Sequence, residues 1–318
     1  MRRPWILCGL LCLALLAHAP RLAAQASASE PGAASYNFKL AVDEVNLRFH
    51  AADAHGAPVN DLRLDELRLL DDGKPPRRIL AFQALQDLPL RAGVLIDTSE
   101  SMQQTVAANR AIAVRFTQRL LRQPADQAFV MDFGYLSKLT QPWTGDPSAL
   151  LAGVRQVVPG RENPLGGTAM FDAIFRACFN EFGKIDPTAS GNFVVLFSDG
   201  DDNASHTSLE EVVDVCQHAN TAIYVFRAGP SPSLFSSGPR HLADLAAQTG
   251  GRVFPGDESE AAIDSDLRSI DADLRNQYRL LYNPAAVKHD GTFHRIQLTM
   301  PDRVATLSIR SGYYDRPR

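Results

Sequence analysis

The residues best suited to chemistry are an acid and two hydroxyls that end an apolar run. The segment Asp97-Thr98-Ser99-Glu100-Ser101 places Asp97, Ser99 and Ser101 in an Asp-x-Ser-x-Ser pattern. The apolar run before it predicts a buried parallel strand, and the apolar spacing after it predicts a helix. Open α/β sheets bind ligands at the carboxyl ends of their strands. Oxygen-only side chains in that position suit a hard cation such as Mg²⁺.

Two later loops offer further oxygen ligands in a similar context. Thr168 follows Gly166-Gly167 and precedes a predicted helix, while Ser198-Asp199-Gly200 follows the apolar stretch 192–197. A doubly wound sheet would bring all three loops to one edge. We therefore predict a cation site built from five residues: Asp97, Ser99, Ser101, Thr168 and Asp199.

This set resembles the metal-ion-dependent adhesion site of the von Willebrand factor A domain, in both order and context. The segments 72–75 (Asp-Gly-Lys-Pro), 87–90 (Asp-Leu-Pro-Leu) and 310–314 (Arg-Ser-Gly-Tyr-Tyr) extend the likeness over nearly the whole mature chain. They are similar to an exported bacterial group of von Willebrand A-related proteins best known from acidobacteria. The resemblance implies no established enzymatic activity.

The resemblance implies a coordination scheme for this site. Ser99 and Ser101 would bind Mg²⁺ directly, and Thr168 would bind directly in one state and through water in another. Asp97 and Asp199 would act mainly through waters. Mn²⁺ or Ca²⁺ could replace Mg²⁺. One coordination position stays open, and an Asp or Glu of a partner protein would fill it.

Glu100 departs from the family pattern, which usually has Gly at this place. Glu100 is not at a ligand position, but its charge near the rim would weaken the binding of an acidic partner. The neighbouring residues Asp201, Asp202 and Asn203 are expected to form a solvated acidic loop.

The chain from 91 to 275 must position these loops, and its pattern alternates between strands and helices. Such alternation predicts an α/β fold, with a doubly wound, mostly parallel sheet that has helices on both faces. The predicted strands after the first are 128–133, 192–197 and 222–226. Helices are predicted at 147–157 and 241–249, and a third from the apolar residues spaced between Phe171 and Phe182. Two more helices are predicted from their capping residues: one begins at Ser208, with Glu211 completing a capping box, and the last begins at Asp257.

Short β segments flank this α/β region on both sides. Alternating apolar residues predict strands at 37–49, 67–70 and 78–82, and Asp72-Gly73 predicts a hairpin between the last two. Strands are also predicted at 278–282, 294–300 and 305–309. Neither set is large enough to be stable alone. We therefore expect the N-terminal segment 36–88 and the C-terminal segment 276–318 to form one small β domain.

The N-terminus has the pattern of a secretory signal peptide. Arg2 and Arg3 precede an uncharged apolar run, and small residues follow it, so residues 1–26 are expected to be removed, with 27–35 as a linker. The mature chain would then be exported to the periplasm, the cell envelope or the medium, and no later segment is expected to span a membrane. The apolar run itself is short for a membrane anchor.

Charge and cysteine content limit the possible partners. Removing Arg2, Arg3 and Arg21 from the 32 basic residues leaves 29 against 36 acidic residues, a net charge of −7. That balance argues against nonspecific nucleic-acid binding. Cys178 and Cys216 remain, and two readings stay open for them: a disulfide in an oxidising compartment, or two buried free thiols.

Other functions fit the sequence less well. Ser99 lacks the flanking glycines of a hydrolase nucleophile elbow, and the segment starting at Asp199 has Ala204 where a calcium loop needs Gly. The histidines His206, His218, His241 and His294 share no metal-site spacing, and His218 and His241 are expected on helix surfaces. A non-enzymatic binding protein is the main hypothesis. A metal-assisted hydrolase and a structural envelope protein with a degenerate site are the alternatives.

Overall fold

The computed structural model describes residues 44–160, 166–227, 236–256, 259–287 and 289–315. The predicted signal peptide, the linker, the strand residues 37–43 and the capping residue Asp257 lie outside these ranges. Within them, no helix is long and apolar enough to cross a bilayer.

The strands number thirteen in the described residues. In chain order they are β1 Val45–Ala52, β2 Arg68–Asp71, β3 Arg78–Leu85, β4 Leu90–Asp97, β5 Gln127–Phe133, β6 Ser137–Thr144, β7 Gly191–Ser198, β8 Thr221–Arg227, β9 Val253–Pro255, β10 Gln277–Asn283, β11 Phe293–Thr299, β12 Thr306–Ile309 and β13 Gly312–Tyr314. The α-helices are α1 Val106–Leu120, α2 Pro147–Gln156, α3 Met170–Arg176, α4 Leu209–His218, α5 Gly238–Thr249 and α6 Glu260–Arg275.

A six-stranded sheet forms the centre of the α/β region, in the order β6-β5-β4-β7-β8-β9. All neighbours are parallel except the edge strand β6, which runs antiparallel to β5. The central strands β4 and β7 are buried along almost their whole length, as expected for strands covered on both faces. The predicted α/β fold with a doubly wound, mostly parallel sheet is confirmed.

Two hydrophobic clusters cover the two faces of this sheet. Helices α1, α2 and α6 pack on the face presented by Val94 and Ile96. Helices α3, α4 and α5 pack on the opposite face, presented by Leu95 and Leu196. Because β4 sits between β5 and β7, its carboxyl end lies at the middle of the sheet edge. That is where the first candidate loop begins.

The helix predicted across Phe171 to Phe182 is not one regular helix. After α3, residues Ala177–Glu181 form a π-helical turn. A π turn holds more residues than an α turn, so the regular helical spacing of side chains is broken within it. Phe179, predicted on the apolar face, is 61% exposed. Cys178 points inward and forms a disulfide with Cys216 of α4, which settles the open question about the two cysteines.

The small β portion is built from both ends of the described chain. One sheet has the order β12-β1-β10-β3 and the other β13-β11-β2. In both, strands from before the α/β region pair with strands from after it, as β1 does with β10 and β2 with β11. Leu47, Tyr278 and Tyr282 lie in the hydrophobic cluster of this portion. The prediction of a small β portion from N- and C-terminal segments is confirmed.

The predicted hairpin between β2 and β3 is wrong. Asp72 and Gly73 do form a tight turn with positive φ, closed by a bridge between Asp71 and Lys74. The two strands then part, because β2 pairs with β11 while β3 pairs with β10. Pro75 and Pro76 follow the turn and have no N–H to continue a ladder.

Smaller elements also differ from prediction. The strands β6, β9 and β13 were not predicted, since β6 contains Pro142 and the other two have three residues each. The predicted capping box of Ser208 and Glu211 at α4 is confirmed. For α6 the N-cap is Ser259, whose hydroxyl accepts the Ala262 N–H.

Candidate metal site

Asp97 anchors the first loop of the candidate site at the end of β4. The residue is completely buried, and its two carboxylate oxygens have separate partners. Oδ1 accepts the backbone N–H of Ser99 at 2.9 Å, and Oδ2 accepts the hydroxyl of Ser198 at 2.7 Å. Asp97 therefore fixes the path of its own loop and also joins it to the end of β7.

The two serines of this loop lie side by side. Ser99 Oγ and Ser101 Oγ are 3.3 Å apart. Ser99 is buried, while Ser101 and Glu100 are exposed, so the loop rises from the core to the surface. The backbone of Thr98 holds it from two sides, through the carbonyl of Phe133 at 2.7 Å and the N–H of Gly160 at 2.9 Å.

Thr168 comes to the same edge through backbone contacts. Its N–H binds the side-chain oxygen of Asn203 at 2.8 Å, and its carbonyl accepts the N–H groups of Asn203 and Ala204 at 3.1 Å each. The next residue, Ala169, donates to the carbonyl of Gly134, whose backbone lies against Ser99. The N-cap of α3 is Ala169, so the Thr168 hydroxyl is not used as a helix cap.

The third loop is more ordered than the solvated acidic loop predicted for 201–203. Asp202 accepts the N–H of Phe171 at 2.8 Å in the first turn of α3. Asp201 accepts the N–H of Gly238 at 3.1 Å at the start of α5. With Asn203 holding Thr168, the acidic residues of this loop fix neighbouring helices and loops. That part of the prediction is wrong, because helix N-termini need acceptors and these side chains supply them.

Asp199 is the first residue of the same loop, and it is half-buried. Its Oδ1 accepts the N–H of Asp201 at 3.1 Å. Burial raises the pKa of Asp97 to about 6, and the nearby negative charge of Asp199 adds to this rise. Hydrogen bonds from Ser99 and Ser198 act in the opposite direction. The site thus holds a buried carboxyl and a second acid close enough to repel it.

These features fit a divalent cation. A cation between the two acids would offset both the burial of Asp97 and its repulsion by Asp199. Neighbouring oxygens in an octahedral Mg²⁺ shell are about 3 Å apart, close to the observed separation of the two serine hydroxyls. The donors are all oxygen, which suits Mg²⁺ or Mn²⁺ better than a soft metal.

Two residues near this edge were missed or misjudged at the sequence level. Ser198 donates a hydrogen bond to Asp97, and the only feature of the sequence that could have indicated this role is its position just before Asp199. His241, expected on a helix surface, packs its ring on Phe171 with centroids 5.2 Å apart and reaches the carbonyl of Gly200 at 3.2 Å.

A second group of possible metal ligands lies in the small β portion. Asp71, Asp72 and His294 place one ligand atom each within 4.8 Å of one another. It is the one cluster of three or more His, Cys, Asp or Glu ligands in the part of the chain that the structure describes. Sequence spacing gave no signal for it, because β11 brings His294 to residues more than two hundred positions away.

Comparisons with known proteins agree with the fold of the central region. The family model for the von Willebrand factor type A domain matches residues 94–201. No curated protein sequence matches the chain.

Several solved structures are similar to part of this chain. BatB from Bacteroides thetaiotaomicron is 16% identical, with 57% of this chain and 97% of that chain covered and a TM-score of 0.46. A von Willebrand factor type A protein from Catenulispora acidiphila is 13% identical, with 74% and 72% covered and a TM-score of 0.45. Proximal thread matrix protein 1 from the mussel byssus, with a zinc-occupied adhesion-site motif, is 15% identical, with 64% and 50% covered and a TM-score of 0.47.

The family match begins inside β4 and extends just past Asp199, so it includes all five residues predicted for the candidate site. It lies within the α/β region and does not separate the exported bacterial group from the rest of the family. Residues 94–201, from β4 to just beyond β7, match the von Willebrand factor type A domain family.

Proposed function

We propose that this chain is an exported binding module that uses a divalent cation, Mg²⁺ or Mn²⁺, to bind an acidic residue of a partner protein. The observation that carries the proposal is the joining of Asp97 to Ser99 and Ser198 at the carboxyl end of the central strands. Those contacts unite the first and third loops, and Thr168 is tied to the third loop through Asn203.

Each side chain has a distinct role in this proposal. Ser99 and Ser101 present neutral hydroxyls to the cation, and Thr168 completes that set. Asp97 and Asp199 supply negative charge at a greater distance. A cation with mainly neutral direct ligands remains electron-poor, so it attracts an anionic ligand at its open position. A carboxylate of Asp or Glu is the anionic group that a protein partner offers.

The burial gradient of the loop supports a partner that approaches from solvent. Asp97 is wholly buried, Ser99 is 7% exposed, and Ser101 is exposed. The inner oxygens are therefore protected, while the outer edge is accessible. Glu100 is also exposed there, and its negative charge would repel an acidic partner at longer range. Glu100 would then act against nonspecific acidic proteins.

Export is part of the proposal. The charged and apolar pattern of residues 1–26 supports it at the sequence level. The disulfide between Cys178 and Cys216 supports it independently, because disulfides persist mainly in oxidising compartments. Membership of the exported bacterial group belongs to the same proposal.

The test measures cation binding and partner capture together. Calorimetry with Mg²⁺ on the full chain should give one site, and Asp97→Ala should abolish it. The immobilised chain is then exposed to an envelope extract of its source organism in Mg²⁺ and in chelator. A partner retained in Mg²⁺, released by chelator and not captured by Asp97→Ala supports the proposal.

A matched control is Asp132→Ala, which removes a half-buried acid one strand away, on β5. This variant should keep both the cation and the partner. Capture that ignores chelator, or that survives Asp97→Ala, would overturn the cation-bridged mechanism. Metal-dependent turnover of simple ester or phosphate substrates, lost in Asp97→Ala, would favour the hydrolase alternative instead.

A further inference from the structure

The cluster of Asp71, Asp72 and His294 lies in the sheet β13-β11-β2, in the small β portion. Asp71 ends β2, Asp72 begins the tight turn, and His294 stands on the neighbouring strand β11. His294 Nδ1 is 3.0 Å from Asp72 Oδ2 and 3.6 Å from Asp71 Oδ1. One ring nitrogen thus faces two carboxylate oxygens, although a single N–H could serve only one of them well.

These separations match a metal coordination shell. With Zn–N and Zn–O bonds of about 2.0–2.1 Å, adjacent ligands of a tetrahedral zinc ion lie about 3.3 Å apart. The two measured distances fall on either side of that value. One imidazole and two carboxylates form a mixed set that suits Zn²⁺, and a water would fill the fourth position.

The remaining atoms of the ligands are held by other groups, as is usual around metal sites. The hydroxyls of Tyr282 and Tyr313 both donate to Asp71 Oδ2, at 2.8 and 3.0 Å, which leaves Oδ1 facing His294. Asp72 Oδ1 accepts the N–H of Arg295 at 2.9 Å, which leaves Oδ2 facing the same point. Both carboxylates are therefore oriented by contacts outside the cluster.

The histidine supplies the independent indication of a ligand. His294 is 6% exposed and stacks on Tyr313, with ring centroids 5.1 Å apart and planes 12° apart. Its second nitrogen, Nε2, is buried without a hydrogen bond and lies 3.6 Å from Asp315 Oδ2. A metal on Nδ1 would fix the proton on Nε2, directed at Asp315, which is the usual carboxylate–histidine–metal arrangement.

The site is also accessible. Asp71 is almost completely buried, and burial raises the pKa of its carboxyl. The side chain of Asp72 is about half exposed, so an ion can enter from its side. A bound cation would stabilise the charged form of Asp71 in this buried place.

We propose that Asp71, Asp72 and His294 form a second metal site, selective for Zn²⁺ or a similar transition metal, that clamps β2 to β11. This site does not depend on the proposed adhesion-type site. Its ligands come from before and after the von Willebrand factor type A domain, so the metal would hold the two chain segments of the small β portion together.

The test titrates Zn²⁺ into the Asp97→Ala variant of the full chain, in excess Mg²⁺, so that the first site does not contribute. We expect one equivalent of Zn²⁺ and a higher melting temperature with the metal than without it. With Co²⁺ as a spectroscopic probe, a visible absorption band of a tetrahedral, nitrogen-containing site should appear.

Two variants and one control make the result specific. His294→Gln and Asp72→Asn should each weaken Zn²⁺ binding by more than about 10-fold. Asp72→Asn guards against misfolding, because Asn tolerates the positive φ of this residue and can still accept the Arg295 N–H. His218→Ala removes a surface histidine paired with Asp214 and should bind Zn²⁺ normally. The proposal is overturned if folded Asp72→Asn and His294→Gln both bind Zn²⁺ like their parent, or if the parent binds none.

Discussion

Ser198 donates a hydrogen bond to Asp97 at 2.7 Å across 101 residues of sequence, between the ends of two adjacent parallel strands. Both side chains are completely buried. The Ser198 hydroxyl also accepts the N–H of Gly200 at 3.0 Å. A single hydroxyl therefore orients the buried acid of the first loop and sets the start of the third loop, which carries Asp199.

Ser198→Ala should weaken Mg²⁺ binding by about 10- to 100-fold, as the loss of a group that orients a metal ligand usually does. The variant leaves one oxygen of Asp97 without its donor, so the loops lose their fixed relation. Calorimetry with Mg²⁺ measures the effect. Ser190→Ala is the matched control. Ser190 is also buried, and it lies just before the first residue of β7, at the end of the strand opposite to Ser198. Equal losses in both variants would contradict a specific role for Ser198.

Much of the α/β fold was predictable because its signals are local and strong. The buried strands β4 and β7 are continuous apolar runs, and the capping box at Ser208 marks α4. The less regular elements were not predictable in the same way. β6 is an edge strand with mixed exposure and an internal Pro142, so it lacks both a clear alternation and an apolar run.

Long-range contacts explain most of what the sequence did not indicate. The Asp72-Gly73 turn formed as predicted, but the choice of partner for β2 depended on β11, far along the chain. The cluster around His294 depends on the same pairing. For the candidate adhesion-type site, the residue types and order are visible in sequence, whereas the contacts of Ser198, Asn203 and Asp202 become visible only in three dimensions.

Glu100→Gln should strengthen binding of the Mg²⁺-dependent partner by about 2- to 5-fold, the range expected for one exposed charge. The gain comes from removing repulsion at the rim, so it should shrink as salt is raised beyond physiological strength. Affinity and association rate, measured at two ionic strengths, test this. Glu100→Asp keeps the charge and should behave like the wild-type chain. A loss of partner affinity in Glu100→Gln would show that Glu100 contacts the partner favourably.

Replacing Cys178 and Cys216 together by Ala should lower the free energy of unfolding by about 4 kcal/mol, from the loop entropy of a closed segment of this length. The two cysteines are 38 positions apart in sequence, and their disulfide joins the π-helical turn after α3 to α4. Urea unfolding of the oxidised chain, the reduced chain and the double variant measures the change. The reduced wild type should approach the double variant. A reduced chain as stable as the oxidised chain would contradict this role.

Asp126 and Arg275 form a buried ion pair, 2.8 Å between Oδ2 and Nη2, that joins the residue just before β5 to the end of α6. Asp126 also accepts the backbone N–H groups of Leu90, Arg122 and Gln123 at 2.8–2.9 Å. Burial acts to raise the pKa of Asp126, but the hydrogen bonds from Arg275 and these amides outweigh it. The pKa is therefore held below its usual value of 3.8.

Asp126→Asn should lower the free energy of unfolding by about 3–5 kcal/mol at neutral pH, because Arg275 stays buried without its charged partner. A depressed pKa in the folded state means that the unfolded chain binds the proton more readily. The stabilisation is therefore complete above the unfolded pKa of about 3.9 and is lost as the pH falls through the lower, folded value. The difference between wild type and Asp126→Asn should accordingly shrink below about pH 4 in urea unfolding.

Asp65→Asn, which alters an exposed pair with Arg63, is the control for this prediction and should change the free energy of unfolding little at any pH. A difference for Asp126→Asn that stays constant into acid would show that packing, and not the charge of Asp126, causes the loss.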